Sequence, residues 1–216
     1  MTMDWLLQIT LTAISSFAAT NIDDILILMF LFSQVKANPK LHIHQLIIGQ
    51  YLGFSLIILL SLPGFIGGLV IPKAWIGLLG FLPIAIGAKQ LWQGLEVETV
   101  SELHTVTPNS STGFLKHKLT PFTYSVATIT FANGGDNIGI YVPFFASLNG
   151  PGLLIVLSLF FSLVGLWCAV AYWLTRHTLI AKILTHRGKR IVPFVLIALG
   201  CFIVWENRSY ALLIPR

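Results

Sequence analysis

Three aspartates, Asp23, Asp24 and Asp136, interrupt stretches that are otherwise apolar and of membrane-spanning length. The first stretch reads Ala19-Thr20-Asn21-Ile22-Asp23-Asp24-Ile25-Leu26-Ile27. The second reads Ala132-Asn133-Gly134-Gly135-Asp136-Asn137-Ile138-Gly139-Ile140. An offset of 113 residues puts Asp23 on Asp136 and Asp24 on Asn137. An Asp at the centre of a bilayer costs about 2.5 to 3.5 kcal/mol on insertion scales, so such groups are kept where they are used. Carboxylates beside Asn amides make a hard oxygen set, suited to divalent cations. Three carboxylates carry more charge than one divalent ion neutralises. In a low-dielectric cavity an empty site of this kind holds protons, and metal binding displaces them. That is a physical route to metal/proton exchange. The plainer reading is a helix-packing network satisfied by Thr20, Thr128 and Thr130; three acids in a near-symmetric layout argue against it.

Local geometry follows from spacing. Asn21 and Asp24 are three apart and are expected on one helix face. Asp23 lies about 100° round and converges with them where the helix unwinds. Gly costs about 1 kcal/mol relative to Ala in a helix interior, so Gly134-Gly135 predicts a break or a close backbone approach. A broken membrane helix frees carbonyls that bind a cation. Pro143 removes a further backbone bond and favours a kink. The candidate transport site is therefore Asn21, Asp23, Asp24, Asn133, Asp136 and Asn137, with Gly134, Gly135 and Pro143 as helix break or hinge. Neither a catalytic residue nor a cofactor is expected; the metal is cargo, with protons as the counter-ion.

The elements that hold these residues are read from hydropathy. The chain has 216 residues, 56% hydrophobic and 10% charged, with a mean hydropathy of +0.84. Soluble domains carry about 25% charged residues, so an all-α integral membrane protein is expected, with no separate soluble domain. Alternating ten-residue strands are not seen, which argues against an outer-membrane barrel. About 20 apolar residues span a bilayer core. Six spans are expected, near 5–32, 45–66, 75–92, 122–148, 153–174 and 191–205, the last extending towards Leu213. The N-terminal stretch carries Asp4 and lacks the basic lead of a cleaved signal, so the first span is expected to remain in the protein.

Basic residues collect on one side. Lys36, Lys40, Lys89, Lys116, Lys118, Arg176, Lys182, Arg187, Lys189 and Arg190 oppose Lys73, Arg208 and Arg216. The positive-inside rule then puts both termini outside, and the net charge of +5 reads as topology rather than nucleic-acid binding. Cys168 and Cys201 form no CxxC pair and read as buried thiols. The six histidines, His42 and His44 among them, fall in expected loops and read as solvated. Trp5, Trp75, Trp92, Trp173, Trp205 and Tyr210 fall near span ends as an interfacial belt. Glu206 reads as a helix-end charge, with an exit-side ligand as the alternative.

The same 113-residue offset aligns Pro83-Ile84-Ala85-Ile86-Gly87 with Leu196-Ile197-Ala198-Leu199-Gly200. Repeats of three spans each must enter the membrane in opposite senses, so the expected architecture is two inverted three-helix repeats. Residues 1–94 form the first and residues 122–216 the second. A polar cytoplasmic linker, 95–121, joins them.

The two acidic motifs, with Phe17-Ala18 before the first, Leu28-Met29-Phe30 after it and Tyr141 closing the second, resemble the bacterial cadmium resistance transporter family of the lysine-exporter superfamily. The resemblance covers most of the chain. It implies export of Cd²⁺, with Zn²⁺ or Mn²⁺ as related cargo, across the bacterial cytoplasmic membrane. Cd²⁺ is soft and favours thiolate, yet the motifs contain no Cys. The main rival is an exporter of an amino acid or another cationic small solute from the same superfamily. It would need a partner for the solute carboxylate, and no intramembrane Arg is present. An intramembrane aspartyl protease fits worse, because the Tyr-Asp pair and the Gly-x-Gly-Asp pattern are both missing. Expected partners are the metal ion and membrane lipids, with no nucleic acid; a monomer and a homo-oligomer both fit the sequence.

Overall fold

The computed structural model describes residues 3–92, 120–135, 137–207 and 209; the side chains of 74 and 178–189 lie outside the description. The expected linker lies almost wholly outside it, as do Asp136, Arg208, Tyr210 and Arg216. The described residues are helical, with no strand among them. In order they form α1 (Met3–Asn21), α2 (Asp24–Ala37), α3 (Ile43–Val70), α4 (Lys73–Ile76), a 3-10 turn (Gly77–Gly80), α5 (Phe81–Trp92), α6 (Pro121–Asn133), α7 (Asn137–Ala146), α8 (Gly150–Leu174) and α9 (Thr178–Glu206).

Each expected span meets helix. α3 and α8 are each long and apolar enough to cross a membrane, and α1 with α2 make a third crossing if that bent pair is one span. α5 and α7 are shorter apolar helices. The outer surface is hydrocarbon: Leu11 is 64% exposed, Leu59 60% and Leu154 68%. Polar residues are turned inwards instead, with Ser16, Asn21, Asp24, Gln50, Ser61, Thr130 and Asn137 buried. A surface of this kind is stable against lipid and a liability in water.

Two departures from expectation have local causes. The basic stretch after α8, expected as a loop, is helical from Thr178. In the sequence its apolar and basic residues recur with helical rather than loop spacing. The third expected span is not one α-helix. It tightens into a 3-10 turn at Gly77–Gly80, where the end of α9 approaches so closely that a Cβ on Gly77 would collide with the Ser209 hydroxyl.

The helices pair along three seams. α3 runs parallel to α6 and α7: Gly49 meets Val126, Gly53 meets Thr130, Gly64 meets Val142 and Gly68 meets Ala146. At Gly64 and Gly68 the partner atom is a backbone carbonyl oxygen sitting where a Cβ would be. α8 runs parallel to α1 and α2 through side chains: Ile9 against Gly152, Phe17 against Phe160, Phe32 against Tyr172, and the Lys36 ammonium on the Thr175 hydroxyl. α5 and α9 run antiparallel, Gly80 against Gly200 and Gly87 against Pro193. The 113-residue offset exchanges these last two contacts, since it carries Gly80 to Pro193 and Gly87 to Gly200. It also carries the start of α2 at Asp24 onto the start of α7 at Asn137.

The α3 seam makes adjacent glycines unequal. Gly68→Ala must push the α7 backbone away and should cost about 1–3 kcal/mol. Gly67→Ala meets only the Ile71 Cδ1 at 3.8 Å and should stay within about 1 kcal/mol of wild type. Thermal unfolding of both variants in detergent measures the difference.

Candidate functional site

Both motifs stop a helix. In the first, the side chains compete with the backbone ladder, as Asn and Thr do. Thr20 Oγ1 reaches back to the Ser16 carbonyl at 3.0 Å, and Asn21 Nδ2 donates to the Phe17 carbonyl at 2.8 Å. The Trp167 indole N–H, from α8, donates to the Asn21 carbonyl at 2.8 Å and takes the acceptor that the next turn would have used. Asp23 keeps helical angles (φ −74°, ψ −29°) without capping α2 by its side chain, and α2 leaves at 61° to α1. In the second motif the Gly134 N–H closes on the Thr130 carbonyl at 2.9 Å, ending α6; the chain resumes helix at Asn137. The Cδ1 of Ile57, on α3, lies so close to Gly134 that a Cβ there would have to displace it.

The two interruptions meet. Asn133 Nδ2, at the end of α6, donates to Asp24 Oδ1, at the start of α2. Asp24 is 5% exposed. It also lies in the first turn of α2, where the helix dipole favours negative charge. Asn137, the first residue of α7, is 1% exposed, and its Nδ2 finds no acceptor among the described residues. Asp23 and Asn133 are exposed at the residue level.

Of the expected site, Asp24 and Asn133 are thus in direct contact. Asn21 and Asn137 are buried in the adjoining helix ends. Asn21 and Asp24 do not share one helix face, because the chain breaks between them. Asp136 lies outside the described residues. α7 remains helical through Pro143, so the interruption of this segment falls at the glycine pair. No group of three or more His, Cys, Asp or Glu gathers among the described residues. What the described residues bring together is one carboxylate, Asp24, and the Asn133 amide that donates to it.

Three neighbours of the breaks were not among the expected site residues. Tyr141 of α7 is fully buried, with its hydroxyl 2.7 Å from Thr20 Oγ1 and 3.0 Å from Asn21 Nδ2. Its position four residues after Asn137, on the same helix face, was the available signal. Trp167 sits inside α8, away from the interfacial belt, and a mid-span indole needs a partner for its N–H. Gln50 of α3 accepts from Thr130 Oγ1 at 2.6 Å. An aromatic cluster of Phe17, Phe54, Tyr141, Phe144, Phe145 and Phe160 packs beside the breaks. It extends to a cavity of about 220 Å³ lined by Trp5, Gln8, Lys73, Phe144, Asn149 and Glu206.

An apolar helical bundle in which two interrupted helices meet through a buried carboxylate and an amide is the build of a membrane transport protein. The family model for the cadmium resistance transporter matches residues 17–215, and the chain belongs to that family. No curated protein and no solved structure gives a match.

Two substitutions test the joint. Asn133→Ala removes the amide from a buried carboxylate and should lower stability by about 1–3 kcal/mol. Trp167→Phe keeps a ring against Phe17 but loses the bond to the Asn21 carbonyl, for about 1 kcal/mol. Thermal denaturation of purified protein reads both, and a wild-type melting curve for Asn133→Ala would contradict the contact.

Proposed function

We propose that this transporter exports divalent heavy-metal cations, Cd²⁺ foremost and Zn²⁺ or Mn²⁺ as related cargo, out of the bacterial cell in exchange for protons. The observation that carries this reading is Asp24, buried at 5% exposure and bound to Asn133 across two helix breaks. Membership of the cadmium resistance transporter family supplies the cargo class.

In this reading the cation is held by Asp23, Asp24 and Asp136 with the amide oxygens of Asn21, Asn133 and Asn137. A cation and the Asn133 amide compete for the same Asp24 oxygen. Binding therefore breaks a bond between the two halves of the chain and couples cargo to conformation. Protons replace the cation when it leaves, because a low-dielectric site does not keep several bare carboxylates. Release of the Asn133 amide also lets its Oδ1 turn towards the ion.

The six-crossing, inverted-repeat architecture belongs to the same reading. Six alternating crossings require the second and fourth to be parallel, the first and fifth parallel, and the third and sixth antiparallel. The three seams have those directions. The exchange of Gly80–Gly200 with Gly87–Pro193 under the repeat offset supports a two-fold relation between the halves. Lys36, Lys40 and Arg176 cluster at the ends opposite Lys73, and the positive-inside rule then gives a cytoplasmic face for them and outside termini.

The test is metal content in a metal-sensitive bacterial strain. Wild type should lower cell-associated Cd²⁺, and Asp24→Asn, Asp23→Asn and Asp136→Asn should each abolish that effect while still reaching the membrane. A protonophore should collapse export by the wild type. Export that survives the protonophore would remove proton exchange from the mechanism; unchanged Cd²⁺, Zn²⁺ and Mn²⁺ in wild-type cells would remove metal export.

A further inference from the structure

We propose that Tyr141 is a positioning residue which locks the Asn21 amide so that its oxygen faces the transport site, and thereby sets the affinity for the cation. The inference rests on the metal-export reading and adds a residue to it.

Tyr141 is held rigidly. Its side chain is fully buried, and its ring centroid lies 5.0 Å from that of Phe160, 5.9 Å from Phe145 and 6.4 Å from Phe54. The hydroxyl therefore has a fixed place, 2.7 Å from Thr20 Oγ1 and 3.0 Å from Asn21 Nδ2. Thr20 has one hydroxyl hydrogen, which can turn back to the Ser16 carbonyl at 3.0 Å and leave Oγ1 to accept from Tyr141. The Tyr141 oxygen then accepts from Asn21.

The Phe17 carbonyl selects which way the Asn21 amide points, and the Tyr141 hydroxyl holds it there. Nδ2 lies within bonding distance of the Phe17 carbonyl at 2.8 Å, Thr20 Oγ1 at 2.9 Å and the Tyr141 hydroxyl at 3.0 Å. A flipped amide would set Oδ1 against the Phe17 carbonyl oxygen, two acceptors facing each other. The NH₂ side is thus fixed by the packed interior, and Oδ1 turns the other way, at the end of α1 where the break to Asp24 begins. No described residue donates to it. Amide oxygen is a hard ligand of the kind divalent cations take. Asn137, one turn before Tyr141 on α7, shows an amide with no such anchor: it is equally buried, and its Nδ2 meets no acceptor among the described residues. The repeat offset puts Leu28 opposite Tyr141, so the first half contains no matching hydroxyl. The lock therefore runs one way, from the second half onto the first.

Pre-set geometry lowers the cost of binding rather than the rate of the conformational step. Tyr141→Phe keeps the ring and removes only the lock. With purified protein in proteoliposomes, initial rates measured against Cd²⁺ concentration should show KM raised roughly tenfold, the worth of about one buried hydrogen bond. Vmax should stay within about twofold, because the amide still reaches the site once the ion recruits it. Asn21→Ala should raise KM at least as much, and Tyr141→Phe added to it should change nothing more, since the lock has lost its target. Should Tyr141→Phe not fold, Thr20→Val carries the test, with a smaller rise in KM. An unchanged KM, a fall in Vmax alone, or additive effects in the double variant would each overturn the role of Tyr141 while leaving metal export standing. A wild type that moves neither Cd²⁺ nor Zn²⁺ overturns both.

Discussion

A carboxylate sealed inside a bundle whose outer face is hydrocarbon must find its solvation in the protein. Around Asp24 that requirement organises the structure. Its backbone stands at the start of a helix, where free N–H groups and the dipole favour negative charge. Its Oδ1 takes an amide from Asn133, which belongs to the other half of the chain. Neither condition is met by a continuous helix. A helix start inside the bundle needs a helix end just before it, and an Asn alongside it needs a second interruption. The two breaks are therefore one feature seen from both sides.

Each break is kept by tertiary contacts rather than by propensity alone. Trp167 holds the last carbonyl of α1, Ile57 fills the space at Gly134, and Thr20, Asn21 and Tyr141 knit the first break to α7. Trp167 and Ile57 come from α8 and α3, so the breaks draw on helices that carry none of the candidate ligands. In membranes such interhelical polar contacts contribute modestly one by one. Their effect here is directional: Trp167 and Tyr141 hold the end of α1 in one orientation.

The sequence made much of this legible, because the energetic penalties involved are local. Acids and a Gly-Gly pair inside apolar runs stand out against their surroundings, and the second break falls where the glycines predict it. The first was less legible. Asn21 and Asp24 have spacing that suits a single helix face, and only Trp167, 146 residues away in sequence, shows why the helix stops there. Tyr141, Trp167 and Gln50 were hidden for the same reason: each is an ordinary residue until its partner across the bundle is known. The helix over the basic stretch before Pro193 was misread because charge was weighed above periodicity. The 3-10 turn at Gly77–Gly80 reflects a close approach of α9 that no local pattern encodes.

The glycines of α3 carry a mechanical consequence. Where the Ala146 and Val142 carbonyls occupy the space of missing Cβ atoms, backbone lies on backbone with no side chain left to repack. Close-packed surfaces of that kind resist small sliding. α3 is thereby held tightly against α6 and α7. The opposite seam, between α8 and the α1–α2 pair, is made of aromatic rings, one indole bond and a lysine contact, all of which can change partners. Of the three seams, the one along α3 is thus stiff and the one along α8 compliant. The asymmetry between these two seams follows from which residues lack a Cβ.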